Sequence, residues 1–527
     1  MTLLRQDRPA VAERQGGLDC DLLVVGGGVN GAGIARDAAG RGLAVVLCEQ
    51  DDLASHTSSC STKLIHGGLR YLEHFEFRMV RKALQEREVL LRSAPHIVRP
   101  LRFVMPHNAG LRPAWMVRIG LFLYDHLGKR ELLAESKFAD LASSPLGQPL
   151  RPGLKTGFVY SDAWVDDARL VVLNALDAAE RGAVVMLRTR LVSAVRGADR
   201  WEASLRPAGG GAPCTVRARA LVNATGPWAE SFQRSTLSIT PQRSLLMAKG
   251  SHIVVRRLFD HDHAYILQNP DKRIIFAIPY ERDFTLIGTT DVAFSGDPAR
   301  PEITPEETSY LCAMVNGYFN RQISPADVVW SYSGVRPLLE DETSDLSAVT
   351  RDYLLAHDAG PGRAPLLSVF GGKITTYRKL AEEALDVLAP VLGSARQTWT
   401  AAAPLPGGDI VNADFDGFLA VLRREYAWLP GDLLQRYARA YGTRVRNMLG
   451  AAASVAHLGR DIGGQLFEAE VDYLVKHEWA CTADDILWRR SKLGLHAGPD
   501  TAGALAAALP GFVSKHARRD DRHALSA

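Results

Sequence analysis

The first change of texture along the chain falls between residues 21 and 49. Leu22 to Val25 are continuously apolar, glycines follow at 26, 28 and 31, and a second apolar run from Leu43 to Cys48 ends at Glu49. Short unbroken apolar runs flanked by glycine predict strands buried on both faces, here with a glycine turn and a helix between them. Arg78 to Ser93 carries Val80, Leu84, Val89 and Leu91 among charges, which predicts a surface helix. Between about residues 184 and 290 the texture is β-rich, with runs at 184–187, 216–222, 252–255, 274–278 and 285–287. These predict a mostly antiparallel sheet inserted between the flanking segments. A third glycine device stands at Gly371-Gly372, where the apolar run Leu366 to Phe370 stops and a helix with Leu380, Ala384 and Val387 on one face begins. Past the segment 401–408 the chain is alanine-, leucine- and arginine-rich at helical spacing to about residue 495, which predicts a separate helical domain. Residues 1–18 read as a loose tail.

At 527 residues the chain is too long for one core, so two or three domains are expected. A formal net charge of +3 implies no bulk attraction to nucleic acid. The six cysteines, at 20, 48, 60, 214, 312 and 481, show no metal-ligand or redox spacing and read as reduced thiols. Nor do His74, His96, His107 and His126 have ligand spacing, so no metal is expected. The polar start of the chain and the lack of an apolar stretch of about 18 residues predict neither export nor a membrane span.

The first glycine turn has a specific chemistry. Gly26 makes the turn, Gly28 lets backbone N–H groups approach a pyrophosphate at the positive end of a helix, and Gly31 permits close helix–strand packing. Glu49 stands 21 residues past Gly28, where an acid accepts a ribose hydroxyl. Together they predict a dinucleotide site. Ala224-Thr225-Gly226 ends a strand in small residues, as if backbone passes close to a ligand. Three chain-distant devices favour a long dinucleotide such as FAD over a nicotinamide.

Residues 21–33, 57–77, 223–228, 249–255, 332–338 and 370–380, and above all the block from Lys63 to His74 (Lys-Leu-Ile-His-Gly-Gly-Leu-Arg-Tyr-Leu-Glu-His), resemble the aerobic, FAD-dependent glycerol-3-phosphate dehydrogenases. The similarity runs from about residue 20 to about 495, leaving the two ends unmatched. The resemblance implies an α/β fold: a glutathione-reductase-like, Rossmann-type FAD domain, discontinuous over 19–400. An antiparallel β substrate domain is interleaved at about 80–350, and an all-α cap follows over 401–527. It implies FAD held by Gly26, Gly28, Asn30, Gly31, Glu49, Thr57, Ser58, Ser59, Ser61, Lys63, His66, Gly67, Gly68, Ala224, Gly226, Gly372, Lys373 and Ile374. It further implies oxidation of sn-glycerol 3-phosphate to dihydroxyacetone phosphate, with electrons passed to membrane quinone.

Such a reaction needs a base for the hydroxyl proton and cations for the phosphate. Arg70, Arg336 and Lys373 adjoin glycine-rich segments, and Arg351 and Tyr71 complete the substrate-contact set that the resemblance implies. His252 is the first choice of base, because histidine titrates nearest the working pH. His66 is the second, and Arg336 is an alternative polariser of the hydroxyl. The segment Leu111 to Arg130 reads either as an interfacial helix, with Arg118, Asp125 and Lys129 on one stripe, or as a buried crossover helix. The arginines of the helical domain are a second candidate for anionic lipid. A peripheral enzyme on the cytoplasmic face of the cell membrane is expected, its oligomeric state open, a homodimer included. An oxidase that makes hydrogen peroxide shares every motif quoted, and a non-catalytic FAD binder is the reading from another class.

Overall fold

The structure, a computed structural model, describes residues 11–14, 17–107, 113–241, 243–269, 271, 273–340, 352–393 and 396–524, with side chains as far as residue 516. Two large sheets organise the first 400 residues. In the first sheet Arg363–Phe370, Cys214–Asn223, Gly17–Val25, Val45–Cys48 and Val184–Met186 lie side by side and parallel. Leu22, Leu23 and Val24 are fully buried, as a central parallel strand covered on both faces requires. The helices Val29–Gly40, Asp167–Glu180 and Tyr377–Leu392 pack together over one face, their alanines and leucines merging with the strands in one apolar core.

The second sheet is mainly antiparallel. Val98–His107 pairs with Thr156–Val165, and Leu245–Arg256 runs between Phe284–Gly288 and Val328–Leu339. The β-rich stretch after residue 184 is therefore split. Val184–Met186 and Cys214–Asn223 belong to the nucleotide-type sheet, and only the later runs belong to the antiparallel one. A short apolar run carries no record of its pairing partner, which is why the sequence merges them.

Three further expectations are corrected. The tail is not loose throughout, because Ala12–Arg14 forms a hairpin with the next strand, Ala12 opposite Asp19. The helix Phe77–Ser93 is a surface helix only in part: Arg78, Arg81, Gln85 and Arg92 are exposed as expected, but Glu86, Arg87 and Glu88 are buried. Burial is tolerated because the charges are paired, Arg378 with Glu86 at 2.5 Å and Arg87 with Asp162 at 2.6 Å. Third, the helix Ala114–His126 is not a buried crossover. Leu121 and Tyr124 face inward, while Trp115, Met116, Ile119, Phe122 and Leu123 are exposed.

The C-terminal part is all helical about its own apolar core. It runs through Phe415–Glu425, Gly431–Tyr441 and Glu468–Glu478 to Pro499–Ala524, so helix continues past residue 495. Two buried ion pairs fasten it to the first sheet's domain, Arg169 with Glu478 and Arg490 with Asp52.

Candidate active site

A cavity of about 420 Å³ opens where the two sheets meet. One wall comes from the first sheet. Gly26 adopts φ +113°, and a Cβ there would stand 2.4 Å from the Ala224 carbonyl oxygen. A Cβ on Gly31 would stand 1.9 Å from the Gly26 carbonyl oxygen, so both positions exclude any side chain. The Gly27 N–H donates to Glu49 Oε2 at 2.5 Å and the Asp51 N–H to Glu49 Oε1 at 2.8 Å. Burial pushes the Glu49 carboxyl above its ordinary range, against the pull of those two N–H groups. Asn30 Nδ2 donates to the Gly371 carbonyl, tying the first glycine turn to the third. Its Oδ1 is buried without a partner among the described residues. An unpartnered acceptor beside a glycine turn and a buried acid suits a dinucleotide with hydroxyl and amide donors.

The hydroxyl-rich run is a scaffold as much as a lining. Ser58 Oγ accepts from the Val29 N–H, and Thr57 Oγ1 donates to the Val335 carbonyl, joining the run to both sheets. Ser61 Oγ donates to Asp167 Oδ2 at 2.7 Å, and Lys63 Nζ donates to Asp167 Oδ1 at 2.7 Å and to the Ser59 carbonyl. Lys63 is thereby turned away from the cavity and almost fully buried.

The opposite wall carries the titratable groups. His252 faces Tyr332 across the strand pair, and the rings stack at 4.7 Å and 15°. His252 Nε2 lies 3.0 Å from Thr62 Oγ1, and Nδ1 is buried without a partner among the described residues. Burial, and after it the positive charges of Lys63 and Arg336, hold the imidazole down to about 3, so the ring is neutral. Beneath it Glu307 accepts from Ser251 and Thr290 and pairs with Lys249, fixing the strand that carries His252. Arg336 reaches Asp291 at 2.9 Å, and Lys373 Nζ lies 4.1 Å from the centre of the Tyr71 ring.

Of the residues expected at the site, Gly26, Gly28, Asn30, Glu49, Thr57, Ser58, Ser61, His66, Tyr71, Ala224, Gly226, His252, Arg336, Gly372, Lys373 and Ile374 line this one cavity. Gly31, Ser59, Lys63, Gly67, Gly68 and Arg70 do not. Gly31 packs helix on strand, the Gly67 N–H donates to Tyr124 Oη, and Gly68 takes φ +77° to start the turn that carries Arg70. Arg351 lies outside the described residues. Asp167, Glu307 and Tyr332 escaped the reading of the sequence. Only Glu307 left a signal, the Thr304-x-x-Glu307 capping box that opens the helix Pro305–Asn316. Among the described residues no group of three or more His, Cys, Asp or Glu is placed to hold a metal ion, and no helix is long and apolar enough to cross a membrane.

Comparison with known proteins agrees with this geometry. Residues 21–378 match the family described as FAD dependent oxidoreductase, and residues 398–521 match the C-terminal domain of alpha-glycerophosphate oxidase. The second match extends past residue 495, where the sequence resemblance had stopped. The chain is 55% identical over 504 residues to a glycerol-3-phosphate dehydrogenase of Pseudomonas aeruginosa, covering 96% of this chain and 97% of that one. It is 52% identical over 477 residues to a D-erythritol 1-phosphate dehydrogenase of Brucella abortus, covering 90% and 95%. The solved structure of a glycerol-3-phosphate dehydrogenase from Bacillus halodurans complexed with FAD is similar with a TM-score of 0.74 at 27% identity, over 96% of this chain and 94% of that one.

Proposed function

This chain belongs to the FAD-dependent oxidoreductase family, and from that premise we propose that it oxidises sn-glycerol 3-phosphate to dihydroxyacetone phosphate and delivers the electrons to membrane quinone. The observation that carries the reading is that His252, Arg336 and Lys373 share one cavity with the glycine cradle.

FAD is the cofactor of the family, and the residues present fit it. Gly26, Gly28 and the start of the helix Val29–Gly40 would hold the pyrophosphate and Glu49 the ribose, with Asn30 and Gly372 lining the same cavity. Bound FAD supplies the acceptor for the hydride that leaves carbon 2 of the substrate. Arg336 and Lys373 hold the phosphate dianion, each charge-assisted bond contributing about 1.5–3 kcal/mol. His252 takes the hydroxyl proton. The ring is held neutral and so carries one lone pair, on the nitrogen that the tautomer selected by its contact with Thr62 leaves unprotonated. A substrate dianion in the same cavity offsets Lys63 and Arg336 and raises the proton affinity of the ring as it binds.

Access to quinone is supported by the outward face of Ala114–His126, where exposed Trp115, Ile119 and Phe122 recur at helical spacing. We place the enzyme peripherally on the cytoplasmic face of the cell membrane by this helix.

The Brucella relative favours one competing substrate, D-erythritol 1-phosphate. Anaerobic flavin absorbance decides among the readings. Glycerol 3-phosphate should bleach it at lower concentration than D-erythritol 1-phosphate, and a quinone analogue should restore it faster than air. The reverse order of substrates, or fast restoration by air with peroxide, replaces the present reading.

A further inference from the structure

The orientation of His252 is set by packing more than by hydrogen bonds. Thr62 supplies its one bond, and Nδ1 has no partner among the described residues. What confines the ring is Gly288 at its edge, where an added Cβ would stand 2.0 Å away, and Tyr332 on its face.

Tyr332 is itself fixed at both ends. Its hydroxyl donates to the Ser61 carbonyl at 2.8 Å, and its ring lies 5.1 Å from that of Trp330. Trp330 in turn stacks on Trp488 at 4.5 Å and 15°. Four rings thus run in contact from the cavity to the C-terminal domain. Trp488 packs with the apolar core of that domain, and Trp330 and Tyr332 with the core under the second sheet, so the Trp330–Trp488 contact links the two cores, alongside Leu495, which packs on the second.

Trp488 lies in a single turn of π-helix, Asp485–Arg490, a wide-turn geometry that often marks functional sites. The ring is accommodated because residue 494 is glycine: a Cβ there would stand 2.5 Å from the indole. In the same turn Arg489 Nε donates to Asp52 Oδ2 at 2.7 Å and Arg490 Nη2 to Asp52 Oδ1 at 2.8 Å. Asp52 begins the loop whose Ala54 and Ser55 line the cavity. One short segment of the helical domain therefore grips both the cofactor-side loop and the aromatic stack behind His252.

We propose that Trp488 is a positioning residue for His252, acting through Trp330 and Tyr332, so that the C-terminal domain sets the geometry of proton removal in the other domain. The inference rests on the role proposed above for His252. Reactions are sensitive to misplacement of about 1 Å, which costs on the order of a hundredfold. Two stacked contacts and one tilted contact between them suffice to transmit a shift of that size, because packed rings interlock and do not deform.

The test uses the FAD-loaded full-length protein as Trp488→Leu, Trp488→Phe, His252→Asn and the double variant Trp488→Leu/His252→Asn. Leu keeps the site apolar and removes the ring, while Phe keeps a face for Trp330. Trp488→Leu is expected to lower kcat roughly tenfold or more with KM and FAD content near wild type, and Trp488→Phe to recover most of it. In the His252→Asn background the leucine substitution should lower kcat no further, because its effect passes through the missing ring. An equal loss in both backgrounds overturns the proposal. A second readout is independent of catalysis. With 13C-labelled histidine, the resonance that disappears in His252→Asn should shift in Trp488→Leu and return in Trp488→Phe. If it stays in place the positioning role is wrong, whatever the kinetics. If it moves while His252→Asn leaves kcat unchanged, the positioning stands and the role of His252 as base falls.

Discussion

Lys63 Nζ stands 2.7 Å from the Asp167 carboxylate with neither side chain more than 1% exposed, a fully buried ion pair directly behind the hydroxyl-rich run. The pair does more than neutralise itself, since Asp167 also accepts from the Ser61 backbone N–H and hydroxyl and from the Ala168 N–H. Deleting one member of such a pair strands the other charge in the interior at a cost of about 3–5 kcal/mol. Asp167→Asn and Lys63→Met are therefore each expected to lower the melting temperature by roughly 3–6 °C and to weaken FAD retention. Thermal unfolding followed by flavin release would show it. A shift below about 2 °C would mean that the run is held by its other bonds.

The phosphate should distinguish Arg336 from Arg70. Arg336 and Lys373 line the cavity, whereas Arg70 sits in the turn Leu69–His74 outside its wall. Removing one charge-assisted donor of about 1.5–3 kcal/mol corresponds to roughly a 10- to 150-fold rise in the dissociation constant. Arg336→Ala and Lys373→Ala are predicted to weaken glycerol 3-phosphate by that factor with FAD content unchanged, and Arg70→Ala to weaken it several-fold less. Binding titrations that put Arg70→Ala level with Arg336→Ala would place Arg70 among the phosphate ligands after all.

A second buried histidine makes a prediction about acid. His96 is buried with both ring nitrogens lacking a partner among the described residues. Burial, and then the charges of Arg169, Arg439 and Arg444, hold it down to about 3 from 6.5. The unfolded chain binds this proton below pH 6.5 and the folded one does not. The neutral ring therefore contributes stability above pH 6.5 that is lost as the pH falls from 6.5 towards 3. Between pH 7.5 and 5.5 that loss is about 1.4 kcal/mol for one group. His96→Leu removes no hydrogen bond, so its stability at pH 7.5 should stay close to wild type, and on going to pH 5.5 it should lose about 1.4 kcal/mol less. Denaturant midpoints at the two pH values measure the difference. Parallel losses in variant and wild type would show that His96 is solvated.

Legibility followed the range of the interaction. The glycine turns were readable because each needs a backbone conformation or close approach that glycine allows: Gly26, Gly31 and Gly372 all stand where a Cβ meets backbone or side chain within 3.2 Å. His252, Arg336 and Lys373 were readable through the blocks that contain them. Asp167 and Tyr332 were not. Asp167 follows another acid at the start of a helix, where acidic residues are ordinary, and its partner Lys63 lies 104 residues away. Tyr332 looks like any strand aromatic until register sets it opposite His252. The buried charges of the helix Phe77–Ser93 were illegible for the same reason, since they meet partners such as Asp162 and Arg378 that no local periodicity reveals.

The two faces of the helix Ala114–His126 have separable duties, which makes membrane docking testable without touching the chemistry. Its inner face is structural. Tyr124 Oη accepts from the Gly67 N–H at 2.7 Å and donates to Asp162, holding the block that leads into the substrate wall. Its outer face presents Trp115, Ile119 and Phe122 to solvent at 52–63% exposure. Exposed apolar patches of this kind usually mark an interaction surface, and burying each such side chain in an acyl layer contributes about 1.5–3 kcal/mol. The triple variant Trp115→Ala, Ile119→Ala, Phe122→Ala is predicted to partition at least tenfold less onto vesicles containing anionic lipid. Its glycerol 3-phosphate oxidation with a soluble dye acceptor should stay within about twofold of wild type, since Tyr124 and its bonds are untouched. Its activity with a quinone dissolved in the same vesicles should fall with the partitioning. Vesicle flotation alongside the two assays separates the outcomes. Unchanged flotation would move docking elsewhere, with the arginine-rich helical domain the next surface to test, and equal loss of both activities would mean that the outer face supports the fold.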